Sequence, residues 1–308
     1  DINKVKFLDI VLFDNYEYID DEYFDFDIED LQEVNNYVLA LNYGLEKLKS
    51  GITFSAGLIC EIHSILFNSE KWNKTCSGEL RISKEFVLGT RPWDDLVLPP
   101  QAKYVSNYFK DLEEFINNKE TGFHVLVKIG LVYVQFEMIH PFLYGNSKLG
   151  RIIIIMLLYK VRMIDWPVIV ISSYLKANKD LYYDLLKQVQ NSGSWELWLE
   201  FFFKALHLSA NEAIDKIERI NKLFEDDLKK IGKNPAPNFS CLATFEYLKG
   251  LPRINAKILS RALVVSEPIA RGSLKYLCSL GILEEIRGKS KAKVYIYKKY
   301  LEILGERF

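Results

Sequence analysis

One stretch gathers the residue types that chemistry needs: His140-Pro-Phe-Leu-Tyr-Gly-Asn-Ser-Lys-Leu-Gly-Arg151. Pro141 ends whatever helix precedes it, because proline cannot extend one. Gly145 and Asn146 tolerate the backbone of a tight turn. Lys148 and Arg151 then fall three residues apart on the first turn of a following helix, and so on one face. A turn that feeds a helix N-terminus, with free N–H groups and two cations, suits a phosphate. His140 stands at its edge with a side chain suited to general-base work near neutrality. Alone, His140 would read as the cap of a helix end; with the turn and the cations beside it, a catalytic role is the better reading.

Helices must hold that turn. Glu33–Lys49 carries Val34, Tyr37, Val38, Leu41, Leu45 and Leu48 at helical spacing. Leu58–Phe67, Gln101–Asn117, Phe123–Ile139, Asp180–Gln190 and Trp195–Leu228 read as further helices. Residues 152–162 are apolar on nearly every face, which predicts a helix buried at the centre of a bundle. Residues 68–101 are irregular, with a β-prone piece at Glu85–Leu88. Gly232-Lys-Asn-Pro-Ala-Pro237 reads as a linker.

The turn resembles the signature of the Fic family, His-Pro-Phe-x-(Asp/Glu)-Gly-Asn-Gly-Arg-x-x-Arg. Glu33–Tyr43, Leu58–Phe67, Gly78-Glu-Leu-Arg81, Val97-Leu-Pro-Pro100, Gln135-Phe-Glu-Met-Ile139, Tyr182-Tyr-Asp-Leu-Leu186 and Trp195-Glu-Leu-Trp-Leu199 also look like the family's helices and loops. The resemblance runs from about residue 30 to 225. It implies a mainly α fold: a Fic-type helical bundle with a short β-hairpin flap. It implies transfer of AMP from ATP to the Ser, Thr or Tyr hydroxyl of a protein substrate. In that scheme His140 is the base, and Gly145, Asn146 and Ser147 form an anion hole. Arg151 holds the phosphate tail, and Phe86, Val87, Leu88 and Gly89 are the flap that aligns a target peptide. Tyr183 and Gln190 occupy places that face the adenine.

Three fixed positions of the signature depart. Tyr144 stands where the family has an acid that binds Mg²⁺, and a phenol is a poor ligand for a hard cation. No metal ligand is therefore assigned, and Mg²⁺ is a doubtful cofactor beside ATP. Ser147 replaces a glycine. Lys148 replaces an arginine, keeping the charge but losing the planar fork. These changes predict weak or absent transfer. Many members also carry an inhibitory Ser/Thr-x-x-x-Glu-Gly/Asn helix, but residues 1–49 contain no Ser or Thr.

Charge is uneven. Residues 1–36 hold twelve Asp or Glu and two Lys; residues 238–308 hold thirteen Lys or Arg and six acids. The first segment is expected to be an acidic arm over 1–32, before a Fic domain over 33–230, a linker over 231–237 and a small domain over 238–308. That last segment looks like a winged helix-turn-helix. Its third helix would turn Arg271, Ser273 and Lys275 toward a DNA groove, and Arg287, Lys289, Lys291 and Lys293 would line a wing against phosphates.

The chain has 308 residues, 49% hydrophobic and 26% charged, with net charge −1. These figures exclude wholesale disorder and collagen. Four dispersed cysteines without a CxxC pair argue against a disulfide framework and for the cytoplasm. No apolar run approaches the roughly 20 residues that cross a bilayer. Two functions are consistent with the whole sequence. One is an AMP transferase of low activity. The other is an inactive nucleotide-binding Fic domain that regulates through a DNA-binding winged helix. A homodimer through the helical domain or the tail is also expected.

Overall fold

The computed structural model describes residues 28–68, 77–82, 98–232, 239–287 and 293–305. Two compact units divide the chain, one over Tyr18–Ala210 and the other from Asn211 to Phe308.

The first unit is helical. Its α1 (Ile28–Lys49) buries Asn36, Val38, Ala40 and Leu41. A serine fixes the start of α2 (Ala56–Leu66): the Ser55 hydroxyl accepts the Leu58 N–H at 3.1 Å. In α3 (Ala102–Asn117) the buried stripe is Val105, Phe109, Leu112 and Ile116, at spacings of four, three and four. Helices α4 (Val125–Ile139) and α5 (Asn146–Lys160) pack against each other. Every residue from Ile152 to Leu158 of α5 is buried, as its all-round apolar sequence predicts. Next come α6 (Ser172–Ala177), α7 (Lys179–Ser192) and the start of α8 (Trp195–Gly232). Trp198 is fully buried, and its indole N–H donates to the Gly130 carbonyl at 2.9 Å, tying α8 to α4.

The second unit takes the end of α8, then α9 (Phe239–Leu248), β1 (Arg253–Ile254), α10 (Ala256–Leu263), α11 (Glu267–Ser279), β2 (Glu284–Arg287), β3 (Lys293–Ile296) and α12 (Lys298–Gly305). Its antiparallel sheet has the order β1-β3-β2, with Ile254 opposite Tyr295 and Glu285 opposite the same residue. Phe224 and Ile231 of α8 join Phe245, Leu274, Leu277, Tyr297 and Tyr300 in one core. Asp227, 1% exposed, accepts the Tyr297 hydroxyl at 2.5 Å.

The boundary between units therefore falls inside α8, not at the expected linker. The helix continues through Gly232 because Ile231 is an anchor of the second core. Residues 233–237 of the expected linker lie outside the described residues, as do residues 1–27 of the expected arm. The strand β1 and the helix α12 have no counterpart in the sequence reading.

Candidate active site

Helix α4 ends at His140, which takes a left-handed conformation at φ 47°. Pro141 follows and blocks continuation. The carbonyl end of the helix is captured by Arg81, itself only 5% exposed. Its Nε donates to the His140 carbonyl at 2.7 Å, and its Nη2 donates to the carbonyls of Ile139 at 3.2 Å and Pro100 at 2.7 Å. The Arg81 N–H adds a bond to the Pro141 carbonyl at 2.9 Å. A guanidinium at a helix C-terminus also meets the negative end of the dipole. Arg81 thus fixes the segment that aims His140.

The turn after His140 is closed from within. Asn146 Oδ1 accepts the Phe142 N–H at 2.9 Å, and its Nδ2 donates to the Phe142 carbonyl at 2.8 Å. Gly145 caps α5 at φ 74°, and a β-carbon there would lie 2.0 Å from the Phe67 ring. Phe142 is fully buried and stacks on His63 at 4.1 Å. The Gly78 N–H donates to His63 Nδ1 at 2.9 Å, so Nε2 carries the proton and donates to the Tyr144 carbonyl at 3.0 Å. Tyr144 itself is 3% exposed, with its ring edge-on to Phe67 at 4.8 Å. A ring so enclosed does not serve as a metal ligand. Among the described residues no three His, Cys, Asp or Glu side chains gather as a metal site either. The turn from His140 to Arg151 carries no carboxylate to offer Mg²⁺.

On α5, Ser147 donates its hydroxyl to Glu137 Oε2 at 3.1 Å. Lys148 pairs with Glu33 of α1 at 3.0 Å, both side chains being partly exposed. Arg151 is half-buried and interacts electrostatically with Glu137. Glu137 has no exposed surface. Tyr183 is half-buried against Tyr182, with Lys179 Nζ 5.8 Å from its ring centre. Gln190 bonds both ways to the Leu98 backbone, at 3.2 and 2.9 Å. It lines an apolar groove of about 790 Å³ with Leu98, Pro100, Ile139 and Trp195.

His140, Gly145, Asn146, Ser147, Lys148 and Arg151, expected around one turn, lie on the two helix ends that it joins. The sequence pattern does not mark Glu137, His63 or Glu33 for the site, and it gives Arg81 only a place in a loop. A lone acid in the apolar run of α4 was the available signal for Glu137. The flap residues Phe86, Val87, Leu88 and Gly89 lie outside the described residues.

In the second unit, Ser273 is not on the outer face of α11. It is 3% exposed and its hydroxyl sits 2.7 Å from that of Ser240, because its position on α11 faces α9. Arg271 pairs with Glu267, and Lys293 with Glu285, each at 2.5 Å. Lys275 is exposed. Arg287 is described as backbone only, and Lys289 and Lys291 lie outside the described residues.

Burial sets the ionisation of the site. It pushes His63 and His140 down to about 4. For His140 the Arg81 charge adds to the effect, and a hydrogen bond to the Glu137 carbonyl opposes it. Burial pushes Glu137 up to about 7, against the pull of Arg151, Ser147 and Tyr182. The unfolded chain protonates the two imidazoles near pH 6.5, so their contribution to stability is complete above that pH and is lost as pH falls toward 4. The raised carboxyl has the opposite sign: its contribution is complete below 4.5 and is lost as pH rises through 7. Stability from these three groups is therefore expected to peak near pH 6.5. Between pH 4.5 and 6.5 two imidazoles outweigh one carboxyl by one proton, a slope of about 1.4 kcal/mol per pH unit. Urea midpoints from pH 4.5 to 8 measure it; for Glu137→Gln the decline above pH 6.5 should disappear.

Residues 53–158 match the sequence profile of the Fic/DOC family. A Fic family protein from Desulfovibrio desulfuricans G20 is similar in structure, at 18% identity and a TM-score of 0.53 over 96% of this chain and 85% of its own. A Fic domain containing signaling protein from Bacteroides thetaiotaomicron VPI-5482 is 16% identical, with a TM-score of 0.51 over 63% and 75%. Fic-1 from C. elegans (residues 134–508) is 18% identical, with a TM-score of 0.50 over 64% and 55%. At these identities the solved structures speak for the fold, and the profile match locates the family's segment. Residues 53–158, which carry His140 and the turn that follows it, are a Fic/DOC family domain.

Proposed function

We propose that this protein binds ATP at the N-terminus of α5 and transfers AMP slowly to a protein hydroxyl. One observation carries the reading: a five-residue turn sets a neutral, buried His140 at one end and the N-terminus of α5, with Arg151, at the other. The groove beside Ile139 offers space for a base. In the reaction His140 takes the proton of the target hydroxyl. That oxygen forms a bond to the α-phosphorus, and the bond to pyrophosphate breaks. The N–H groups of the α5 turn and Arg151 face the charge that develops. Burial keeps His140 neutral at pH 7 but also makes it a weak base, which lowers the gain from general-base catalysis.

The enclosure of Tyr144 favours a second reading, in which nucleotide binds but AMP is not transferred. ATP labelled on the α-phosphate, with calorimetric titration of ATP, separates the two. Label on protein in the wild type and none in His140→Ala, at equal ATP affinity, supports the enzyme. Binding without label supports the second reading, and no binding overturns both. Tyr144→Asp would not restore a metal site cleanly, since it puts a carboxylate where an aromatic ring is enclosed.

For the second unit we adopt the winged-helix reading, supported by the order α9-β1-α10-α11-β2-β3 and the β1-β3-β2 pairing. DNA binding is not part of the proposed function. Arg271 and Lys293 each have an acid at 2.5 Å, and Ser273 is interior.

A further inference from the structure

At the end of α5 the first unit carries apolar side chains on a loop. The chain there runs Val161-Arg-Met-Ile-Asp-Trp166, and Val161, Met163 and Trp166 are 40%, 47% and 49% exposed. Apolar side chains scattered singly over a surface are ordinary, but three within six residues are not. Ile52, 43% exposed, adds a fourth from the loop after α1. Hydrogen bonds and packing hold these segments at one pole of the bundle. Asn117, the last residue of α3, donates its Nδ2 to the Phe54 carbonyl at 2.7 Å, and its Oδ1 accepts from Lys160 of α5 at 3.1 Å. The C-terminal part of α1 reaches the same pole, where a β-carbon on Gly44 would lie 2.8 Å from Met156 Sδ of α5.

The same segments are cationic. Residues 47–53, 117–120 and 160–166 hold five Lys or Arg against two acids, Glu120 and Asp165, and Lys49, Lys119, Lys160 and Arg162 are exposed. We propose that this pole docks on the surface of an anionic phospholipid bilayer, with Trp166, Met163, Val161 and Ile52 entering the headgroup boundary and the four exposed cations facing the lipid charges. Charge complementarity chooses this occupant. A second copy of the pole would set cations against cations, and a nucleic acid has no use for four exposed apolar side chains. A bilayer takes both, since interfacial binding grows with the apolar area buried and with attraction to anionic lipid. Tryptophan in particular settles at the headgroup level. Among the described residues no helix is long and apolar enough to cross a membrane, and this contact needs none. Helix α5 has 15 residues, so at about 1.5 Å per residue the turn after His140 stands about 22 Å from the docked pole. Docking leaves that turn facing away from the bilayer.

The test is binding of the full chain to large unilamellar vesicles, one set of phosphatidylcholine and one of phosphatidylcholine with phosphatidylserine. Co-sedimentation reads the affinity, and tryptophan emission reads insertion. The expected result is tighter binding to the anionic set, a blue shift of the emission, and weakening by added salt. Lys119→Gln combined with Arg162→Gln should weaken binding to the anionic set by about fivefold per cation removed. Trp166→Ala should weaken it by about tenfold or more and remove the blue shift. These positions are exposed, so urea midpoints should match that of the wild type; if Trp166→Ala unfolds early, Met163→Ser takes its place. No binding to the anionic vesicles overturns the inference. Binding that either kind of variant leaves unchanged also overturns it, because charge or apolar contact alone would then account for the attachment. Binding of a labelled DNA duplex without binding of vesicles, equal in wild type and Trp166→Ala, gives the cations to nucleic acid and overturns it as well.

Discussion

Gly145→Ala is expected to cost at least about 3 kcal/mol of folding free energy, enough to threaten a domain of ordinary stability. Two terms add. At φ 74° an L-residue is strained by about 1–2 kcal/mol. The new β-carbon would also lie 2.0 Å from the Phe67 ring. That ring cannot step aside freely: it is 2% exposed, with the rings of His63 and Tyr144 both at 4.8 Å. Overpacking of this kind costs about 1–3 kcal/mol. A double-mutant cycle with Phe67→Ala isolates the second term. Phe67→Ala alone should cost about 3–5 kcal/mol through the cavity it leaves. The double variant should then be more stable than the sum predicts, because the clash is gone. Simple additivity in urea melts would show that the contact between Phe67 and Gly145 is not what forbids the methyl group.

That pair also shows where the sequence was legible and where it was not. The turn itself is written locally. Proline, glycine and asparagine lie within six residues, and each acts on its own backbone. Asn146 closes on Phe142 four residues away, a distance that sequence reasoning covers. What surrounds the turn is written far away. His63 bonds to Tyr144 across 81 residues, and Arg81 reaches His140 across 59. Nothing in the local pattern says that Tyr144 points into α2 instead of toward a phosphate. The substitution at that position was visible in the sequence; the burial of its ring required the fold.

The helices follow the same division. Periodic apolar positions located α3 and α4 to within two residues, and the unbroken apolar run placed α5 at the centre. The ends are set by partners instead. Helix α8 runs four residues past the periodic pattern because Ile231 packs in the second core. The two residues of β1 have no periodicity to read, and they are a strand only because β3 pairs with them. Ser273 was assigned outward by its place in a motif, whereas its small size fits the closely packed side of α11.

Arg81→Met should be at least as damaging as Gly145→Ala, and it tests the site as well as the fold. The methionine keeps much of the apolar stem but donates nothing. Three carbonyls, those of Ile139, His140 and Pro100, would lose a charged donor. Hydrogen bonds to a charged group contribute about 1.5–3 kcal/mol each, and bonds sharing one side chain are not additive, so a total loss of about 3–5 kcal/mol is expected. Arg81→Lys should recover little, because one ammonium cannot reproduce a fork that spans three acceptors. The second consequence is electrostatic. Burial is the main reason that His140 titrates low, and the Arg81 charge is the next. Without that charge, and with the helix end loosened toward water, the His140 pKa should rise from about 4 toward its ordinary value. Carbon-13 chemical shifts of the labelled imidazole, followed from pH 4 to 8 in wild type and in Arg81→Met, read this directly. An unchanged titration in a folded variant would separate Arg81 from the base. A rise would mean that one buried arginine both terminates α4 and keeps the base neutral, so that holding the helix end and tuning the histidine are the same physical act.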